Sequence, residues 1–312
     1  MQQTSSLRRK KNLLLAFDAF GTLFTPKVPV FVQYGEIARR HGVACPSDTE
    51  LAKSFKNAFK LEAKEHPNYG RAVGMGASRW WENVITKTFQ PYLKQNEDVP
   101  KDMISDLLTR FSTKDGYAIY RDVLPFFEML RSRNYPASFE HPWKWDKTIV
   151  GVITNSDDRV PGVLGSLGLT IGPRRFGSIP EETKDVKVDH DISFVVLSYD
   201  VGHEKPDQRM FDAGKNMLKE TFAEDANEGE KHFLEDFELL YVGDELEKDY
   251  FGAQKAGWNA VLLDRSDGHE PQHADTSITQ RQVYMLDEEG NRVFKQVTAI
   301  KHLWALSNLA PA

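Results

Sequence analysis

The sequence predicts an α/β fold: a parallel sheet covered by helices and interrupted, after its first strand, by an all-α insert. Three observations lead there. Short apolar runs, beginning with Leu13-Leu14-Leu15-Ala16, alternate with helical stretches, which is the pattern of a buried parallel sheet with right-handed crossovers. Between the first and second of these runs, the chain from about Val30 to Phe111 reads almost wholly as helix. Finally, four of the runs end in a short polar cluster, where ligands sit in open α/β sheets.

The elements follow in order. In the insert, Phe31, Tyr34, Ile37 and Ala38 fall at helical spacing, and that helix stops near His41-Gly42. Ser47-Asp48-Thr49-Glu50 offers an N-cap to a second helix carrying Leu51, Phe55, Ala58 and Phe59. His66 to Gly70 reads as a turn. Trp80, Trp81, Val84, Ile85 and Phe89 form a third apolar face, read as packing rather than a ligand platform. Asp102 to Phe111 is a fourth helix, with Ile104, Leu107, Leu108 and Phe111 expected inside. Beyond the insert come a helix at Phe126–Arg133 and a strand at Thr148–Ile153. A helix at Val163–Leu167 ends at Gly168 and is followed by a strand at Phe194–Ser198. A helix with Phe211, Ala213 and Met217 precedes a strand at Leu239–Val242. A helix at Tyr250–Ala256, capped by Gly257, leads to a strand at Trp258–Leu263. Thr298 to Leu309 reads as an amphipathic C-terminal helix. The polar stretches Asn134–Lys147, Pro173–Asp191, Ala223–Glu235 and Ser266–Ser277 read as long, solvated loops.

At 312 residues the chain is long enough for a sizeable core and two domains, expected at 1–25 plus 117–312 and at 26–116. With 40 basic against 46 acidic residues and a formal charge of −6, no broad nucleic-acid or anionic-membrane surface is expected. No apolar run approaches the ~20 residues of a membrane span. The single cysteine, Cys45, precludes an internal disulfide framework and fits a reducing, cytoplasmic setting. The basic Arg8-Arg9-Lys10-Lys11 reads as a solvated leader rather than a targeting signal.

The polar clusters suit phosphoryl transfer to water. Asp18, at the end of the first run, is a nucleophile able to form an aspartyl-phosphate, and Gly21 lets backbone approach a ligand closely. Thr154 and the backbone N–H of Asn155 are donors for phosphate oxygens. Lys205 supplies positive charge to Asp18 and to the phosphoryl group. Asp244 and Asp249 are hard oxygen donors suited to Mg²⁺, and one ion is expected at Asp18, Asp244 and the carbonyl of Phe20, with Asp249 in direct contact or one step removed. The partner expected is a small-molecule substrate.

These clusters carry a resemblance. Asp18-Ala19-Phe20-Gly21-Thr22-Leu23, Ile153-Thr154-Asn155, Gly202-His203-Glu204-Lys205-Pro206-Asp207 and Val242-Gly243-Asp244, continuing to Asp249, resemble the four motifs of the haloacid dehalogenase superfamily. The resemblance implies a Rossmann-like core and a helical cap of the C1 type. Pro67-Asn68-Tyr69-Gly70 and Arg79-Trp80-Trp81 add a narrower likeness within the insert. One position departs from the family's phosphatases. They carry a second Asp two residues after the nucleophile, for proton transfer, where this chain has Phe20. The dehalogenases of the family carry an aromatic there but lack the acidic pair of the fourth motif. The expectation is therefore a Mg²⁺-dependent phosphatase of a small phosphorylated metabolite, slowed by Phe20. The alternatives are a 2-haloacid dehalogenase, with Lys56 a loose candidate for holding its substrate, or a catalytically weak member that binds a ligand or a partner.

Overall fold

The central strand, β1 (Asn12–Phe17), is buried at every residue. Leu13, Leu15 and Phe17 join one core cluster while Leu14 and Ala16 join another, so both faces of the sheet are covered. That explains why the run is continuously apolar rather than alternating. The computed structural model describes residues 12–132, 143–178, 190–223, 237–266, 276–286 and 291–311. Residues of the expected leader and much of the four expected long loops lie outside them.

After β1 the chain forms β2 (Phe24–Pro26), then α1 (Val30–Arg40), α2 (Asp48–Glu65), the short turn α3 (Pro67–Gly70), α4 (Ala77–Phe89) and α5 (Lys101–Arg110), and returns through β3 (Tyr117–Ile119). There follow α6 (Val123–Ser132), β4 (Thr148–Thr154), α7 (Val160–Ser166), β5 (Ile171–Arg175), β6 (Ile192–Leu197), α8 (Ser198–Val201) and α9 (Gln208–Ala223). The chain continues with β7 (Phe237–Gly243), a wide helical turn at Leu246–Phe251, α10 (Gly252–Lys255), β8 (Asn259–Leu263), β9 (Thr279–Leu286), β10 (Arg292–Ile300) and a 3₁₀ segment at Leu303–Asn308.

The large sheet runs β5-β6-β4-β1-β7-β8-β10-β9. Its pairs are parallel except β10 with β9. Leu14 of β1 lies opposite Ile149 of β4 and Leu239 of β7, so the carboxyl ends of β1, β4 and β7 finish side by side. β2 and β3 pair antiparallel as a two-stranded ribbon at the two crossings into the helical insert, with Phe24 opposite Ile119. The insert has its own apolar cluster, built on Tyr34, Ile37, Leu51, Ile85, Phe89 and Leu107. Its second helix starts at a capping box, Ser47 with Glu50, as the sequence predicts.

Three features correct the sequence reading. The expected C-terminal helix from Thr298 is instead the end of β10 followed by the 3₁₀ segment. Val293, Val297, Thr298 and Ile300 are β-branched, and Ala299 pairs with Leu262, so extension of the sheet outweighs helical spacing. Strand β5 and the β2–β3 ribbon were not expected. Within the expected polar stretch 134–147, Trp143 and Trp145 are buried beside Phe126.

Candidate active site

The chain leaves β1 at Asp18, whose N–H donates to the Val242 carbonyl at 2.9 Å, so the acid sits between the ends of β1 and β7. The loop then folds back on itself through Gly21 N–H to Phe24 O at 2.8 Å. Gly21 has φ +83°, and a Cβ there would collide with the Asp244 carboxylate. The close approach that requires glycine is thus to Asp244 rather than to a ligand, and Gly21 does not line the cavity described below. Thr22 fixes Asp244 from the same loop, donating its hydroxyl to Oδ1 at 3.0 Å.

Lys205 is buried and its ammonium donates to Asp18 Oδ1 at 2.6 Å, Asp249 Oδ1 at 2.7 Å and the Tyr241 hydroxyl at 2.7 Å. Tyr241 in turn donates to the Ile153 carbonyl at 2.6 Å, tying β7 to β4. Asn155 holds the lysine's backbone from both sides: its Nδ2 donates to Lys205 O at 3.0 Å and its Oδ1 accepts from Lys205 N–H at 2.6 Å. Asp249 also accepts from Glu245 N–H at 2.9 Å. Sequence reasoning missed three of these residues: Tyr241, Thr22 and the side chain of Asn155. Tyr241 reads as core in an apolar strand, and nothing in the sequence separates it from its neighbours.

Carboxylate oxygens of Asp18, Asp244 and Asp249 lie within 4.8 Å of one another. Three carboxylates cluster here, and of them the one ammonium bonds only Asp18 and Asp249, so positive charge is short. Burial pushes the Asp18 carboxyl up to about 7, beyond what Lys205 recovers, and Asp249 adds to the rise. Burial works against the Lys205 charge, but Asp18 and Asp249 hold its pKa above the usual value, so it remains an ammonium. The donor set is all hard oxygen, and a divalent cation such as Mg²⁺ would supply the missing charge. Both Asp249 oxygens already accept hydrogen bonds. Asp18 and Asp244 are therefore the better placed pair to take the ion, with Asp249 orienting Lys205.

A second acidic group, Glu62, Glu65 and His66, lies in the insert. Lys87 bridges its two carboxylates at 2.6 and 2.5 Å, which supplies a cation already. Glu62 is wholly buried, so Lys87→Met is expected to lower stability by about 2 kcal/mol, read as a shift in thermal midpoint.

Over the strand ends lies a cavity of about 440 Å³ with Asp18, Thr154, Asn155 and Lys205 among its lining residues. The insert faces it, and several hydrogen bonds hold insert to core. Trp81 Nε1 donates to Asp157 at 2.9 Å, Asn68 to the Ser198 carbonyl at 2.7 Å, and Arg71 to the Tyr199 carbonyl at 2.7 Å. Arg159 grips Asp157 through two 2.8 Å bonds and lies 4.6 Å over the Trp81 ring. Burial opposes ionisation of Asp157, yet these partners hold it below the usual carboxylate range. Trp81 and Leu108, expected as packing, both line the cavity, as does Phe20, while Trp80 is buried as expected. Among the described residues no helix is long and apolar enough to cross a membrane.

A family model described as haloacid dehalogenase-like hydrolase matches residues 13–257. An uncharacterised protein of Saccharomyces cerevisiae is 30% identical over 262 residues, covering 83% of this chain and 74% of its own. The rhythmically expressed gene 2 protein of Drosophila melanogaster is 28% identical over 270 residues, covering 84% of each. Haloacid dehalogenase-like hydrolase domain-containing protein 3 of Homo sapiens is 24% identical over 250 residues, covering 80% of this chain and 81% of its own. The match to the family model over the strand ends, the helical insert and all four polar clusters makes this chain a member of the haloacid dehalogenase-like hydrolases.

Proposed function

We propose that this hydrolase is a magnesium-dependent phosphatase of a small phosphorylated molecule. The observation that carries the reading is the clustering of Asp18, Asp244 and Asp249 beside one buried ammonium that bonds, of the three, only Asp18 and Asp249, a site with acidic oxygens to spare. Asp18 attacks phosphorus, the ester oxygen leaves with its electron pair, and water then releases phosphate from the aspartyl-phosphate. Lys205 keeps Asp18 oriented and bears on the charge of the phosphoryl group, while Thr154 and the backbone N–H of Asn155 receive its oxygens. Bound Mg²⁺ would lessen repulsion between the anionic nucleophile and the anionic phosphate. The helical insert, residues 26–116, acts as a cap whose closure excludes water.

One observation favours a second reading. Phe20, where a proton-transferring acid would stand, presents an apolar ring to the cavity, as suits attack of Asp18 on the carbon of a 2-halo acid. So small a substrate would leave most of the 440 Å³ to water, which favours the phosphatase. A screen of phosphorylated metabolites beside 2-chloropropionate, with and without chelator, separates the two. Phosphate release that needs Mg²⁺ and disappears in Asp18→Asn is expected. Halide release without metal, and no phosphate, would establish the dehalogenase. Neither product would leave a ligand- or partner-binding member of the family.

A further inference from the structure

The cavity floor is charged, whereas much of its wall is aromatic. Phe20 is 51% exposed and Phe59 39% exposed, unusually open for phenylalanines, and both line the cavity. They belong to an aromatic array. Phe20 stands edge-on to Tyr117 at 6.4 Å, and Phe59 lies 5.8 Å from Trp81, which in turn neighbours Tyr69 at 6.5 Å. Of the other charged lining residues, Asp157 with Arg159 is spent on itself and on Trp81, Glu245 pairs with Lys248 at 2.8 Å, and Lys56 adds a single ammonium. A polyhydroxylated ligand would therefore bury hydroxyls against ring carbon with few partners, which is costly. A ring would instead cover exposed apolar surface and pack edge-to-face, the arrangement aromatic side chains favour. The volume suits one or two rings beside a phosphoryl group.

We infer that the ligand of this cavity is a phosphate monoester bearing an aromatic ring on or next to the phosphorylated oxygen, an inference that rests on the phosphatase reading of the same site. The phosphoryl group lies at Asp18 and Lys205, and the ring stands among Phe20, Phe59 and Trp81.

Phosphonates, which cannot be hydrolysed, test the ring apart from the chemistry. In calorimetric titrations of the full chain with Mg²⁺ present, phenylphosphonate is expected to bind about tenfold or more tighter than methylphosphonate. Phe59→Ser, with folding checked by thermal melt, is expected to cut that preference to a few-fold. Benzyl phosphate should likewise exceed methyl phosphate in kcat/KM, and as both release ordinary alcohols, leaving-group acidity is not the source. Equal binding of the two phosphonates would overturn the ring inference and leave the phosphatase reading standing. A ring preference untouched by both Phe59→Ser and Phe20→Ala would place the ring elsewhere and overturn it too. Binding of neither phosphonate, with no turnover of either ester, would remove both readings together.

Discussion

Lys205→Met is expected to lower turnover of phosphate esters by about 10³-fold, the upper range for loss of one charged donor at a phosphoryl or oxyanion site. The ammonium touches both Asp18 and Asp249. Without it, the buried Asp18 and Asp249 carboxylates lose the cation they share, and Asp18, already hard to ionise, becomes a weaker nucleophile still. Leaving buried charge unpaired costs about 3–5 kcal/mol, so a thermal melt with and without Mg²⁺ must accompany the kinetics. Lys205→Arg serves as the second variant. It keeps the charge, but a planar fork does not reproduce three donors fanned from one nitrogen, so activity should stay well below wild type. A folded Lys205→Met enzyme within tenfold of wild type would remove Lys205 from the chemistry.

Phe20→Asp is expected to raise turnover by about 10²-fold on alkyl phosphates, where departure of the alkoxide needs a proton. In the phosphoryl-transfer step the gain should be much smaller on p-nitrophenyl phosphate, whose leaving group departs as a stable anion, and there the gain comes from faster hydrolysis of the aspartyl-phosphate. The structure makes the substitution tolerable. Phe20 is half exposed and meets Phe24 and Tyr117 only edge-on, at 5.9 and 6.4 Å. Charge introduced there faces the cavity rather than the core. Steady-state kinetics on both ester types, beside a melt and a Mg²⁺ titration, reads the result. A folded variant that binds Mg²⁺ and gains on neither ester would mean that the wild-type enzyme is not limited by proton transfer.

Asp18, Thr154, Lys205 and Asp244 were legible in the sequence because each follows an apolar run, and a parallel sheet sets such ends side by side. The structure brings all four to one edge, with Asn155 and Asp249 beside them. What the sequence concealed depends on contacts between distant segments. Gly21 reads as a loop glycine suited to a ligand, whereas its neighbour is the Asp244 carboxylate, 223 positions along the chain. Asn155 offers a backbone N–H in the linear reading, but its side chain is engaged by the Lys205 backbone. Tyr241 is indistinguishable in sequence from a core aromatic until Lys205 is placed beside it. In the fold, the parallel strands were clear from their apolar runs. The C-terminal hairpin was not, because Val297, Ala299 and Ile300 satisfy helical and extended spacing over so short a stretch, and pairing with β8 decides between them. The three-residue strands of the ribbon, β2 and β3, carry too few residues for any period to show.

The central claim is that Asp18 carries the phosphoryl group, and the most direct measurement is to trap it there. With Phe20 in place of a base to activate water, breakdown of the aspartyl-phosphate should be slow relative to its formation from p-nitrophenyl phosphate. Rapid-quench mass spectrometry of the wild-type protein with Mg²⁺ is therefore expected to show one added phosphoryl group, located to Asp18 by peptide mapping and removed by hydroxylamine. Chelator should prevent its formation, and Asp18→Asn should show none. Phosphate release proceeding at wild-type rate in Asp18→Asn, or a phosphoryl group mapped to any other residue, would contradict the account.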